Sequence, residues 1–145
     1  MFKHILLPTD GSDLSRKAVL YGVQLAKACG SKVTGLTLAE PYRVGSMDAV
    51  LISVGRDEYE QESRRISELA LERVRMAAEA AGVSCDTIRE IHDQPYRAII
   101  DAAHAKGCDL IVMASHGRRG ISALLLGSET VKVLTHSTIP VLVYR

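Results

Sequence analysis

Tryptophan is absent from the 145 residues, phenylalanine occurs once, and aromatics together make up 4 % of the chain. Positive charge is not in excess either, with 18 Lys and Arg against 17 Asp and Glu. A nucleic-acid platform needs a basic face or stacking aromatics, so nucleic acid is not an expected partner. No apolar stretch approaches the roughly 20 residues of a membrane span, and no membrane association is expected. The opening Met1–Pro8 run is too short for a signal peptide and lacks a small-residue cleavage pattern. It reads as a strand of the fold, in a cytoplasmic protein. Cys29, Cys85 and Cys108 are odd in number, widely spaced and without a CxxC pair. That pattern argues against a disulfide framework or a zinc site and for reduced, buried thiols. The length suits a single domain, residues 1–145.

What is present is an alternation of two periodicities. Lys3–Pro8 is a short apolar run ended by the turn cluster Pro8-Thr9-Asp10-Gly11-Ser12. Leu14, Ala18, Tyr21/Gly22, Leu25 and Cys29 then recur at helical spacing, with Ser12 placed to cap and Gly30 to close. Lys32–Leu38 is a second strand. Pro41–Gly55 is irregular, either a partly ordered lid or a variable excursion. From about Arg56 to Ala81 the spacing predicts a long amphipathic helix, closed by Gly82. Val83–Ile91 reads as a third strand. Pro95 opens a helix whose face is Ala98, Ile99, Ala102 and Ala105 and which Gly107 stops. Leu110–Met113 is a continuous apolar strand, buried on both sides. A Gly/Ser/Arg loop, a helix from about Ser128 to His136 and a last strand, Val141–Tyr144, complete the chain. Strands alternating with helices imply a doubly wound α/β domain, a five-stranded parallel sheet with helices on both faces; the expected strand order is 3-2-1-4-5.

In such sheets ligands bind beyond the carboxyl ends of the strands, where the winding reverses. Two loops belong to that edge: the Pro8–Ser12 turn, and Ala114-Ser115-His116-Gly117-Arg118-Arg119-Gly120 onward to Gly127-Ser128. In the second, Gly117, Gly120 and Gly127 allow backbone N–H groups to approach an anion. Gly127-Ser128 opens a helix whose amides and dipole favour negative charge, and Arg118 and Arg119 are placed to meet a polyphosphate. Ordinary loop punctuation, with Ser128 as a simple helix cap, is the competing account. Asp10 is placed to hold a ribose hydroxyl or a phosphate-bound cation, or else to organise the turn.

Other chemistries fail at their defining residues. GxGxxG does not follow the first strand and GxxxxGK[ST] is absent. Ser115-His116 lacks the GxSxG elbow. The five histidines show no metal-ligand spacing. A phospho-acceptor receiver domain, with an acidic pair after strand one, an Asp after strand three and a Lys after strand five, is matched only in part by Asp10 and Asp93, and the Lys is missing.

The whole chain resembles the universal stress protein family. Ile5-Leu6-Leu7-Pro8-Thr9-Asp10-Gly11-Ser12 is similar to the family's first strand and turn. Met113–Gly120 with Leu125-Leu126-Gly127-Ser128 resembles its signature loop, and Ile139-Pro140-Val141-Leu142-Val143 its last strand. The nucleotide-binding branch carries Gly, two residues, Gly, nine residues, then Gly-Ser or Gly-Thr. Gly117 and Gly127-Ser128 match, while Ala114 stands where the family has Gly. A left-handed backbone at 114 would cost alanine about 1 kcal/mol; a need for a small side chain alone would not.

The resemblance implies ATP as cofactor, with Mg or another divalent cation bound through its phosphates. It places Asp10 near the ribose and the metal-bound phosphates, Pro8 and Thr9 at the base, and the Leu38 backbone at the adenine. Met113 and Ala114 flank the ribose. Gly117, Gly127, Ser128 and Glu129 present amides to the phosphates, with Arg118 and Gly120 in the same loop. The Glu129 carboxylate is expected to point away from them. Hydrolysis is expected to be slow at most, since no obvious general base is present. The alternative is a dimeric interaction module of the same fold without nucleotide. Val141–Tyr144 reads as an edge strand without a protecting Lys or internal Pro, which predicts a C2 homodimer through that strand.

Overall fold

A computed structural model describes residues 1–43, 49–117 and 125–145; of 49–54 the helical backbone alone is described. The elements run β1 (His4–Pro8), α1 (Asp13–Cys29), β2 (Lys32–Ala39), α2 (Ala49–Ala81), β3 (Cys85–Ile91), α3 (Pro95–Lys106), β4 (Leu110–Ala114), α4 (Ser128–His136) and β5 (Val141–Tyr144). All strand pairs are parallel, and the sheet order is β3-β2-β1-β4-β5. The winding therefore reverses at β1, which pairs with β2 on one side and β4 on the other.

The pleat divides the core in two. Ile5, Leu7, Val33, Leu110 and Val112 point to the face covered by α1 and α2, where Val19, Val23, Val74 and Ala78 meet them. Leu6, Leu36, Ile111 and Met113 point to the other face, against Ile99, Ala102 and Ala103 of α3 and Val133 of α4. Strands buried on both faces need continuous apolar runs, which is what β1 and β4 have. Each fully buried Leu or Ile contributes roughly 1.5–3 kcal/mol of burial free energy.

Local chemistry sets the helix ends. The Ser12 side chain accepts from Ser15 N–H at 3.3 Å and caps α1. Gly30 and Gly107 close α1 and α3 in the left-handed conformation. Two sequence expectations need correction. α2 begins at Ala49, so part of the supposedly irregular Pro41–Gly55 stretch is helix; residues 44–48 lie outside the described ones. Tyr59 of α2 donates to the Glu40 carbonyl at 2.8 Å, and its ring packs on Tyr42 at 5.4 Å. The buried face of α3 is Ala98, Ile99, Ala102 and Ala103, while Ala105 is exposed. The stripe rises in steps of four, and Ala105 falls beside it.

The cysteines are free; Cys108 is buried, whereas Cys29 and Cys85 are half-buried rather than enclosed. Burial, reinforced by the Asp109 charge, pushes the Cys108 thiol up to about 11. Among the described residues no helix is long and apolar enough to cross a membrane.

At the edge of the sheet away from the β1 turn, His4 is buried and its Nε2 lies 2.8 Å from Thr34 Oγ1. Burial first, then the Lys32 charge, lowers its pKa from the ordinary 6.5, against weaker upward pulls from Asp86 and Asp109. The unfolded chain thus takes up a proton that the folded chain resists. Stability is full above the unfolded value and falls as pH drops from there through the folded-state pKa. In urea denaturation between pH 7 and pH 5, the midpoint should fall further for the wild type than for His4→Gln. Equal falls would show that His4 is not the titrating group.

Candidate functional site

The site begins with the turn after β1. Thr9 N–H donates to the Leu36 carbonyl at 2.8 Å and so stays in register with β2. The chain then leaves the sheet, and side chains replace the ladder. Thr9 Oγ1 and Ser15 Oγ hydrogen-bond each other. Asp10 N–H donates to Ser15 Oγ at 3.2 Å, and Gly11 N–H to Thr9 Oγ1 at 3.2 Å. Asp10 Oδ1 accepts from Ser12 N–H at 2.9 Å, an Asx turn that fixes its carboxyl group. Gly11 supplies the positive φ of 78° that the turn requires.

The loop after β4 meets this turn directly. A Cβ on Gly117 would lie 2.5 Å from Asp10 Oδ2. Only glycine allows so close an approach without displacing the carboxylate. The two loops predicted to face each other therefore do meet, at the switch point of the sheet. Ala114 ends β4 buried and with ordinary strand geometry, since no non-glycine residue has positive φ among the described residues. It needs no left-handed backbone and carries no strain there.

The start of α4 is tied to the end of β4. Gly127 N–H donates to the Ser115 carbonyl at 2.7 Å, and Thr130 Oγ1 to the Ala114 carbonyl at 3.1 Å. Val131 N–H is the first to bond within the helix, to Gly127 O at 3.0 Å. The amides of Ser128, Glu129 and Thr130 thus have no partner inside the helix, and Gly127 offers no side-chain cap. A Cβ on Gly127 would lie 3.2 Å from both His116 Cα and the Ser115 carbonyl oxygen. Loop and helix are closely apposed at that glycine.

Of the other predicted residues, Thr9 and Met113 are buried, Pro8 and Leu38 are half-buried, and Ser128 is exposed. Arg118 and Gly120 lie outside the described residues. The Glu129 carboxylate engages α3: Oε2 accepts from Tyr96 N–H at 2.9 Å and Oε1 from Lys132 Nζ at 3.0 Å. It caps a helix whose own N-cap residue, Gln94, makes no capping bond. Ser15 and Thr130 were missed in the sequence. The first had a signal, three residues after the Ser12 cap; the second had none, because its partner lies sixteen residues away. Among the described residues no group of three or more His, Cys, Asp or Glu side chains is arranged to hold a metal.

Similarity to known proteins extends along the whole chain. The family model described as Universal stress protein family matches residues 1–145. The chain belongs to the universal stress protein family. Its relatives include universal stress protein YxiE of Bacillus subtilis, 35 % identical over 153 residues with all of both chains covered. Universal stress protein MJ0531 of Methanocaldococcus jannaschii is 32 % identical over 149 residues, covering 100 % of this chain and 83 % of that one. Among solved structures, protein MJ0577 of the same archaeon has a TM-score of 0.81 at 27 % identity, covering 99 % and 96 % of the two chains. A universal stress protein solved in complex with cAMP has a TM-score of 0.73 at 27 % identity, covering 99 % and 97 %.

The Glu129 contact makes a stability prediction. Glu129→Ala should cost about 0.5–2 kcal/mol by uncapping α3, and Glu129→Gln less, because an acceptor oxygen remains. Urea midpoints unchanged in both variants would contradict the capping role.

Proposed function

We propose that this universal stress protein binds ATP in the crevice between the β1 turn and the β4–α4 loop, as a nucleotide-sensing regulatory protein of the stress response. The observation that carries the reading is the apposition of Asp10 and Gly117 beside the start of α4. An acidic group suited to sugar hydroxyls or a cation stands there next to helix amides suited to phosphate. A relative of the same fold, at 27 % identity, has been solved with an adenine nucleotide, cAMP.

Pro8 and Thr9 are assigned to the base, the Leu38 backbone to the adenine edge, and Met113 and Ala114 to the ribose. For the phosphates the assignment takes account of which amides are already bonded. Gly127 N–H already serves the Ser115 carbonyl, so the donors from α4 are the amides of Ser128, Glu129 and Thr130, with the Ser128 hydroxyl. Gly127 acts by its lack of a side chain, and Gly117 joins it from the other end of the same loop. Arg118 and Gly120 are assigned to the polyphosphate tail. A single carboxylate, Asp10, fits a hard cation such as Mg²⁺ that keeps its waters and phosphate oxygens, not one caged by protein. Hydrolysis is at most slow, because that carboxylate is committed to the sugar and cation rather than to activating water.

The alternative, a dimeric interaction module without nucleotide, drew its support from Ala114, and the strain that would have disabled the loop is absent. ATP at about 100 times its Kd should stabilise the protein by about 2.7 kcal/mol, a Tm rise of roughly 5–10 °C. Gly127→Val should abolish that rise by forcing loop and helix apart, and the exposed Ser128→Ala should reduce it without loss of fold. An unchanged response in both variants, or none in the wild type, would favour the interaction module.

The homodimer belongs to the same proposal. β5 is an edge strand, and all four of its residues are half-buried. Antiparallel pairing with a second β5 closes as a C2 dimer. Light scattering at micromolar concentration should give twice the 15.7 kDa chain mass; a monomer would contradict it.

A further inference from the structure

A second cavity adjoins the crevice and shares Thr9 and Gly11 of the β1 turn with it. α1 and α2 run side by side on one face of the sheet, and between them is a cleft of about 320 Å³. Its floor is apolar, with Val19, Val74 and Ala77. Its rim carries Leu20 and Met76, which are 53 % and 61 % exposed, far more than the core needs. Arg16 and Arg73 line the same cleft.

Arg16 is paired on its own helix, whereas Arg73, like Arg64 of α2, is in no ion pair among the described residues. Arg56, Arg65 and Arg75 of α2 all pair with glutamates of the same helix. The positions one turn from Arg73 are Leu69, Ala70, Met76 and Ala77, so no carboxylate stands one turn away on its own helix. Arg16 pairs with Asp13 at 3.3 Å, but Asp13 is 94 % exposed, and such a pair holds its arginine weakly. The cleft thus joins a long apolar furrow to a guanidinium without a counter-ion. From Ala70 to Ala77 it follows α2 for about 10 Å.

We propose that this cleft binds a free medium-chain fatty acid, the carboxylate at Arg73 and Arg16 and the acyl chain laid along Val19, Val74 and Ala77 between Leu20 and Met76. A carboxylate matches the planar fork of a guanidinium, and a flexible unbranched chain matches a furrow between parallel helices. Thr9 and Gly11 close the upper end, so the acid and the β1 turn share a wall. The proposal stands independently of the nucleotide.

The test is a titration of the full chain with decanoate below its micelle concentration, followed by ¹H–¹⁵N NMR. Shifts should concentrate in residues 16–20 and 70–77. Decyltrimethylammonium, with the opposite charge, should bind more weakly by about tenfold or more. Arg73→Glu should weaken decanoate to a similar degree, as should Met76→Glu; both sites are exposed, so the fold should be kept, and Arg65→Glu should leave binding unchanged. Shifts centred elsewhere, equal affinity for the two amphiphiles, or full binding by Arg73→Glu would overturn the proposal. Binding to anionic vesicles without binding to the monomer would also overturn it, as would a concentration-dependent dimer abolished by Met76→Glu with no decanoate bound.

Discussion

β1 is hydrogen-bonded on both sides, and from it the chain winds outward in two directions. Ile5 pairs with Val33 of β2 and with Leu110 of β4, and the crossovers α1, leaving β1, and α3, leading to β4, pack on opposite faces of the sheet. The loops leaving β1 and β4 are consequently adjacent at the carboxyl edge, and a crevice opens between them. The apposition of Asp10 and Gly117 follows from that pairing. So does the division of the core into two faces, because strands enclosed by helices above and below bury successive side chains on opposite faces. A polar group in Ile5–Leu7 or Leu110–Val112 would disturb the packing of both layers and the placement of the site.

The site is built mainly from backbone. The carboxyl group of Asp10 is held by an amide of its own turn, and the approach of Gly117 depends on a missing side chain. The start of α4 presents amides whose orientation is fixed by two bonds back to the end of β4, from Gly127 and Thr130. Such donors are set before any ligand arrives and cost little to reorganise. Glu129 adds a structural link: a carboxylate in the first turn of α4 caps α3. The charge that would oppose an anion on α4 is thereby spent on a different helix.

Much of this was legible in the chain because its causes are local. Ser12, Gly30, Gly82 and Gly107 mark helix ends by conformational preferences that act over a few residues. The order of strands followed from the alternation of elements and the rules of winding, together with the family resemblance. What was not legible was nonlocal. The first turn of α2 holds no acidic residue, and the apolar and β-branched residues of 50–54 resembled an excursion. Glu129 finds Tyr96 across 33 positions of sequence, and no spacing rule connects them. The use of the Gly127 amide by Ser115 likewise depends on how the loop closes. A pattern of glycines marks where a chain comes close, not which of its amides remain to bind.

The central claim is that the crevice at β1 and β4 holds ATP. The most direct measurement is the nucleotide content of the protein purified under native conditions, released by heat denaturation and quantified in the supernatant. The account predicts adenine nucleotide at a substantial fraction of the protein concentration, or full loading after incubation with ATP and removal of the excess. Protein that releases no adenine nucleotide in either case would contradict it.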